Sequence, residues 1–275
     1  MVAFPNCKIN LGLNIISKRA DGYHDLETVF YPIPLCDALE VVRQETVPAN
    51  NQIIFTASGL NISGNTTDNL CIKAYELLCK DYPGLAPIQM YLHKVIPMGA
   101  GLGGGSADGA FALQLLNNEF ALGISDQRLQ EYALELGSDC PFFIFNKPCF
   151  ATGRGEKMVP IELDLSDYSF VIVNPGIHIN TGWAFKNITP AAPAHSIETI
   201  IKQPVNTWKN NLLNDFEAAA IKHHSAIGNI KQSLYNTGAI YASMTGSGST
   251  VFGIFEKGTI FQSHFPKDYF VYQTD

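Results

Sequence analysis

Five of the seven residues from 99 to 105 are glycine, in the run Pro97-Met98-Gly99-Ala100-Gly101-Leu102-Gly103-Gly104-Gly105-Ser106. Glycine at this density lets the backbone bend closely around a ligand. The apolar segment 88–96 precedes the run, and a small-residue helical pattern with Ala107, Ala110, Phe111, Leu113 and Leu115 follows it. A strand, a glycine loop and a helix in that order point the first N–H groups of the helix, and its positive dipole end, at whatever the loop encloses. Phosphate is the natural occupant. The plainer alternative is an ordinary strand-to-helix loop.

Several nucleotide loops share this composition. Gly99, Gly101 and Gly104 fit the G-x-G-x-x-G spacing of dinucleotide enzymes, but that reading needs a second strand ending in Asp or Glu about 20 residues on. Glu119 falls inside a helical pattern instead. The Gly-Lys-Ser/Thr of the P-loop is absent, as are the motif sets of protein kinases.

Other residues could join in. Lys8 and Asn10 alternate with Ile9, Leu11, Leu13 and Ile15, which predicts a strand with the two polar side chains together on one face. A lone Lys there is otherwise a surface residue. Asp139 lies between Gly137 and Pro141, on a constrained turn. Its carboxylate can take a proton from a hydroxyl, or bond local backbone as turn Asp residues do. Tyr23 and His24 follow the turn at Ala20-Asp21-Gly22, exposed for a ligand or packed as a hydrophobic plug.

The elements that must position these groups come next. Strands are expected over 26–32, 38–43, 52–57 and 88–96, with 59–67 as a polar loop. Asp68 is the expected cap of a helix carrying Leu70, Ala74, Leu77 and Leu78. A helix capped by Ser125 or Asp126 ends at Gly137, and 140–145 reads as a strand. Further strands are expected over 157–163 and 169–174, and helices over 197–202, 212–223 and 226–235. Strands at 239–244 and 250–256 flank Thr245-Gly246-Ser247-Gly248-Ser249, and a short helix precedes a last strand at 269–272. The fold class is α+β with a boundary near 155–165.

Composition narrows the function. The 275 residues carry a formal charge of −7, with 46% hydrophobic and 16% charged residues. That supports a buried core and excludes disorder. It disfavours a nucleic-acid partner, which needs clustered Lys and Arg. No apolar run approaches a membrane span, and no signal-peptide core is expected at the N-terminus. Six cysteines without a C-x-x-C, at 7, 36, 71, 79, 140 and 149, read as reduced thiols in a cytoplasmic protein. No metal cage is expected.

Taken together, Pro-x-x-x-Gly-Leu-Gly-Gly-Gly-Ser-Ala from Pro97 resembles the phosphate loop of the GHMP small-molecule kinases. Lys8-Ile9-Asn10-Leu11-Gly12, Asp21-Gly22-Tyr23-His24, Thr67-Asp68-Asn69-Leu70, Gly137-Ser138-Asp139-Cys140-Pro141, Ser196-Ile197-Glu198-Thr199 and Thr245-Gly246-Ser247-Gly248 match in the family's order. The Asp-Gly-Tyr-His stretch is peculiar to one branch, which acts on a cytidine-diphosphate-linked methylerythritol. Arg154, in a Gly-x-Gly, stands where the family often has a small apolar residue.

The resemblance implies a two-domain GHMP kinase fold, with a ribosomal-protein-S5-like domain over 1–160 and a ferredoxin-like domain over 161–275. It implies ATP and Mg²⁺ as cofactors and a small-molecule substrate phosphorylated on its 2-hydroxyl. Lys8 and Asp139 would be catalytic, with Asp139 as base. Asn69 and Leu70 would line the adenine pocket. Pro97, Gly99, Gly101, Gly103, Gly104, Gly105 and Ser106 would cradle phosphate or Mg²⁺. Asn10, Tyr23, His24, Thr181, Phe185, Gly246, Ser247 and Gly248 would serve the substrate, with Tyr23 and Phe185 covering the two faces of the cytosine and His24 reading its edge.

Overall fold

The computed structural model describes residues 1–44, 52–62, 64–262 and 264–275. In chain order the elements are β1 (Val2–Ala3), β2 (Asn6–Lys18), β3 (His24–Cys36), β4 (Ala38–Arg43), β5 (Ile53–Gly59), α1 (Leu70–Asp81), β6 (Ile88–Lys94), α2 (Gly104–Glu119), α3 (Asp126–Leu136), α4 (Phe142–Phe145), β7 (Cys149–Gly153) and β8 (Lys157–Pro160). There follow β9 (Tyr168–Asn174), α5 (Thr181–Lys186), α6 (Ile197–Ile200), α7 (Asp215–His223), α8 (Ser225–Asn236), β10 (Tyr241–Met244), β11 (Val251–Glu256) and β12 (Phe270–Gln273). They form three four-stranded sheets, ordered β1-β4-β6-β5, β2-β3-β7-β8 and β10-β11-β9-β12.

The chain divides into two compact units that interleave along the sequence. The first holds Met1–Cys7, Pro34–Met98 and Gly103–Asn146; the second holds Lys8–Ile33, Gly99–Leu102 and Lys147–Asp275. A single cut after residue 160 does not describe this partition, because the long strands β2 and β3 each give residues to both units.

In the first unit the sheet β1-β4-β6-β5 is antiparallel except for the parallel pair β5 and β6. Helices α1 and α2 pack together. Gly109 looks like a weak point in α2, yet a methyl there would lie 2.8 Å from Leu70 Cβ, so the glycine lets the two helices close. In the second unit Leu13, Ile15, Val171, Phe216, Ile230 and Val251 belong to one buried cluster under α7 and α8.

Several expectations are corrected. Residues 140–145 form a turn and the short helix α4, not a strand. The run is too short for periodicity to separate the two, and Phe142, Phe143 and Ile144 are buried in the helical form. Asn69, not Asp68, caps α1, with its side chain accepting from the Cys71 N–H. Helix α5, capped by Asn180, was not expected. No helix lies between β11 and β12 among the described residues. Residue 52 falls just outside β5. Helix α2 is followed by α3 rather than by a strand, which removes the dinucleotide-enzyme alternative.

Candidate active site

In the second unit, Lys8 is the centre of a buried polar knot. The two-residue period of β2 puts Lys8 and Asn10 side by side. The strand is covered on both faces, leaving Lys8 only 3% and Asn10 2% exposed. Lys8 Nζ donates to Asn10 Oδ1 at 2.7 Å and to the Gly101 carbonyl at 3.3 Å, and lies 4.8 Å from the Phe30 ring centroid. Asn10 Nδ2 donates to Thr28 Oγ1 at 3.0 Å. Both ends of the Asn10 carboxamide are therefore engaged by protein, its oxygen by the Lys8 ammonium.

The glycine loop is tied into the same knot. Thr245 Oγ1 accepts the Asn10 N–H at 2.9 Å and donates to the Gly101 carbonyl at 3.1 Å. The Lys8 N–H donates to Leu102 O at 2.9 Å, and the Thr250 N–H to Ala100 O at 3.3 Å. Gly101 has φ +80°, and a methyl on it would sit 2.1 Å from Thr245 O, so only glycine fits. Asn214, which caps α7, donates through Nδ2 to Met244 O at 2.7 Å and Gly246 O at 2.9 Å, fixing the turn of the β10–β11 hairpin. Thr181 Oγ1 meets Ser247 Oγ at 3.2 Å.

The turn before β3 is built to present its aromatics. Arg19 Nη2 bonds Asp21 Oδ2 at 2.7 Å, and Asp21 Oδ1 accepts the Tyr23 N–H at 3.1 Å. The Arg19 hydrogen bond holds the Asp21 carboxyl below its ordinary range. Tyr23 is 55% exposed, with the Arg154 guanidinium 4.7 Å from its ring centroid. His24 stacks on Phe185 at 4.7 Å with planes 16° apart, and Phe185 stands edge-on to Phe216 at 5.0 Å. Phe185 thus faces His24 rather than Tyr23.

In the first unit, Gly103 takes the left-handed conformation (φ +72°) at the N-cap of α2. Gly104 packs on Ile96, while a methyl on Gly105 would meet nothing nearer than Met98 Cε at 4.0 Å. The first-turn N–H groups have no intrahelical acceptor, and the helix dipole adds positive potential. Ser106 is third in the helix, its hydroxyl bonded to the Cys140 thiol, so it is not the cap. Burial, with a smaller push from Asp139, raises that thiol to about 12. Pro97 is half-buried after β6. Asp139 lies in the turn between α3 and α4, where the Cys140 N–H donates to Gly137 O at 3.1 Å. Asn69 serves α1 as cap, and Leu70 packs at Gly109.

Sequence reasoning missed Thr245, Thr28 and Asn214. Thr245 adjoins the predicted Gly246-Ser247-Gly248, and its position there was the available signal; the other two reach the knot only through the fold.

A phosphate-type glycine loop tied to a buried lysine has counterparts among known proteins. Residues 69–147 match the model for the GHMP kinases N terminal domain, and 196–262 that for the GHMP kinases C terminal. The chain belongs to the GHMP kinase family, whose members are ATP-dependent phosphotransferases. It is 52% identical to the 4-diphosphocytidyl-2-C-methyl-D-erythritol kinase of Bacteroides fragilis, over 93% of this chain and 92% of that one. It is 44% identical to the enzyme of the same name from Porphyromonas gingivalis, over 94% and 93%. A crystal structure of 4-(cytidine 5'-diphospho)-2C-methyl-D-erythritol kinase superposes with TM-score 0.79 at 28% identity, covering 92% of this chain and 90% of that one. Methanococcus jannaschii mevalonate kinase, at TM-score 0.69 and 15% identity over 94% and 92%, shares the fold. Among the described residues no helix is long and apolar enough to cross a membrane.

Proposed function

We propose that the protein transfers the γ-phosphoryl of ATP to the 2-hydroxyl of 4-diphosphocytidyl-2-C-methyl-D-erythritol, a step of non-mevalonate isoprenoid precursor synthesis. The observation that carries the substrate is the aromatic edge of the second unit: an exposed Tyr23 beside a His24 ring backed by Phe185. A pyrimidine uses such an edge; mevalonate and homoserine have no base to place on it.

In this reading the hydroxyl oxygen attacks the γ-phosphorus, the bond to the β–γ bridging oxygen breaks, and ADP leaves. Asp139 accepts the hydroxyl proton and passes it to solvent. Lys8, aimed by Asn10 and the Gly101 carbonyl, supplies positive charge where negative charge develops. The open backbone at Gly105 and the N-terminus of α2 receive phosphate, with Gly99, Gly101, Gly103 and Gly104 shaping the loop. Asn69 and Leu70 serve the adenine side, while Thr181, Gly246, Ser247 and Gly248 serve the substrate. Mg²⁺, when bound, would supply positive charge that offsets the charge of the triphosphate. Ser106 is a hard oxygen donor suited to it, and no group of three His, Cys, Asp or Glu side chains gathers as a cage among the described residues.

The test is ATP consumption against a panel of alcohols. Turnover with the cytidylylated methylerythritol alone is expected. Turnover with mevalonate or homoserine instead would leave only the family.

A further inference from the structure

The second unit holds an open cleft of about 530 Å³ that the proposed chemistry leaves unused. Its wall is made by Asn14 of β2, the segment 187–195, residues 210–213 and the first turns of α7. None of its lining residues belongs to the phosphate loop, the Lys8 knot or the aromatic edge. The edge position of β2 in its sheet explains the cleft. On that edge the Leu13 N–H donates to Leu213 O at 2.8 Å, the Ala191 N–H donates to Ile15 O at 3.0 Å, and Asp215 Oδ2 accepts the Ile15 N–H at 2.7 Å. Three separate segments therefore hang on one strand, and the cleft lies among them.

The polar groups of the wall have spent their donors and kept their acceptors. Asn14 Nδ2 donates to Glu27 Oε1 at 3.0 Å, Asn187 Nδ2 to Trp183 O at 2.9 Å, and Asn211 Nδ2 to Thr207 O at 2.7 Å. Carboxylate and carbonyl oxygens only accept, so each amide must turn its N–H groups to them and leave its own oxygen over. Asp215 likewise spends Oδ2 on Ile15 and leaves Oδ1. Among the described residues none of these four oxygens accepts a hydrogen bond. Asn187 and Asn211 are exposed, where water serves them, but Asn14 is only 8% exposed.

The charge on the wall is one-sided. No Lys or Arg lines the cleft, and His195 is its one basic side chain among the described residues. Partial desolvation raises the Asp215 carboxyl above its ordinary range against the opposing Ile15 N–H, and a cation beside it would reverse that shift. Behind Asn14, the buried Glu27 accepts from Asn14, from Ser196 Oγ at 2.9 Å and from the Ile197 N–H at 2.9 Å, all neutral donors. The Ser196-Ile197 segment thus holds a second acid behind the first polar layer. The rest of the wall is small and apolar, with Ala191, Ala192, Ala218 and Ala219. Methylene groups suit such a surface, and no group of three His, Cys, Asp or Glu side chains gathers there for a bare metal ion. We propose that this cleft binds an aliphatic ammonium compound of the short diamine class, with its ammonium hydrogens on Asp215 and Asn14 and its methylenes along the alanines.

Calorimetric titration of the full chain with 1,4-diaminobutane, at about pH 8 and about 0.15 M salt without nucleotide, tests this. A Kd of about 1 mM or tighter is expected, within reach of so small a ligand. Under the same conditions 1,4-butanediol, of equal length without charge, should give no binding. Asp215→Asn keeps an oxygen for the Ile15 N–H and should weaken the diamine about five- to tenfold, between the worth of an exposed ion pair and that of a charge-assisted hydrogen bond. Ala218→Phe fills the cleft without removing a polar group and should abolish binding; it carries the comparison if Asp215→Asn does not fold. A wild type that binds no diamine overturns the proposal. So does a diamine Kd unchanged in the folded variants, which is the result of loose attraction elsewhere on an acidic chain, or a butanediol Kd equal to that of the diamine.

Discussion

Asp139 and Lys8 divide the proposed chemistry between a base on a turn and a cation locked in a strand. Replacing Asp139 by Asn should cut kcat by roughly 10²–10⁴ while ATP affinity is kept, the usual worth of a general base. A near-normal kcat would move the proton to another acceptor. The substrate end makes a sharper distinction. Tyr23→Ala should raise the substrate Kd roughly five- to 150-fold, since stacking a base on an aromatic ring is worth about 1–3 kcal/mol. Arg154 rides on that ring, so Arg154→Met should give a smaller loss, about two- to fivefold, without changing ATP affinity. Because Phe185 backs His24, Phe185→Ala should resemble His24→Ala, relaxing the choice between cytidine and uridine analogues. Equal losses for ATP and substrate in these variants would mark a hydrophobic plug instead.

Between elements, the glycine loop comes so near the turn joining β10 and β11 that Gly101 has no room for a methyl. Gly101→Ala should destabilise the fold by at least about 1–2 kcal/mol from its positive φ alone, and more from the methyl driven against Thr245 O. Gly238, at φ +101° with open space around it, supplies the control: Gly238→Ala should show the strain without the clash. Urea unfolding of both variants checks this, and equal losses would mean that the approach is unimportant. This level was only partly legible beforehand. The alternation in β2 announced itself, as did the start of α2, because period and glycine density are local properties. Lys94 also left a trace, since it falls on the apolar phase of β6 with Ile88, Met90 and Leu92. Its buried ion-pair partner did not: Asp37 lies 57 residues away, and ordinary turn Asp residues look the same in sequence. The stacking of His24 on Phe185 and the bridge from Asn214 are long-range too, set by register rather than by any nearby pattern. The six residues at 140–145 were misread because an apolar run that short has no period to read.

For the whole molecule, the proposed ATP site implies linkage between binding and stability. Mg-ATP at about 100 times its Kd should stabilise the protein by about 2.7 kcal/mol, seen as a higher Tm, and Asp139→Asn should retain the shift. All six cysteines are free thiols in the structure, so added reductant should leave Tm unchanged. The central claim concerns which oxygen receives the phosphoryl group, and phosphorus NMR of the isolated product tests it most directly. Carbon 2 of the 2-C-methyl substrate bears no hydrogen, so a phosphate on its oxygen gives a monoester signal without three-bond splitting by a carbinol proton. The account predicts that unsplit signal, formed together with one ADP per turnover. A proton-split monoester signal, or ADP formed with no new phosphomonoester, would contradict it.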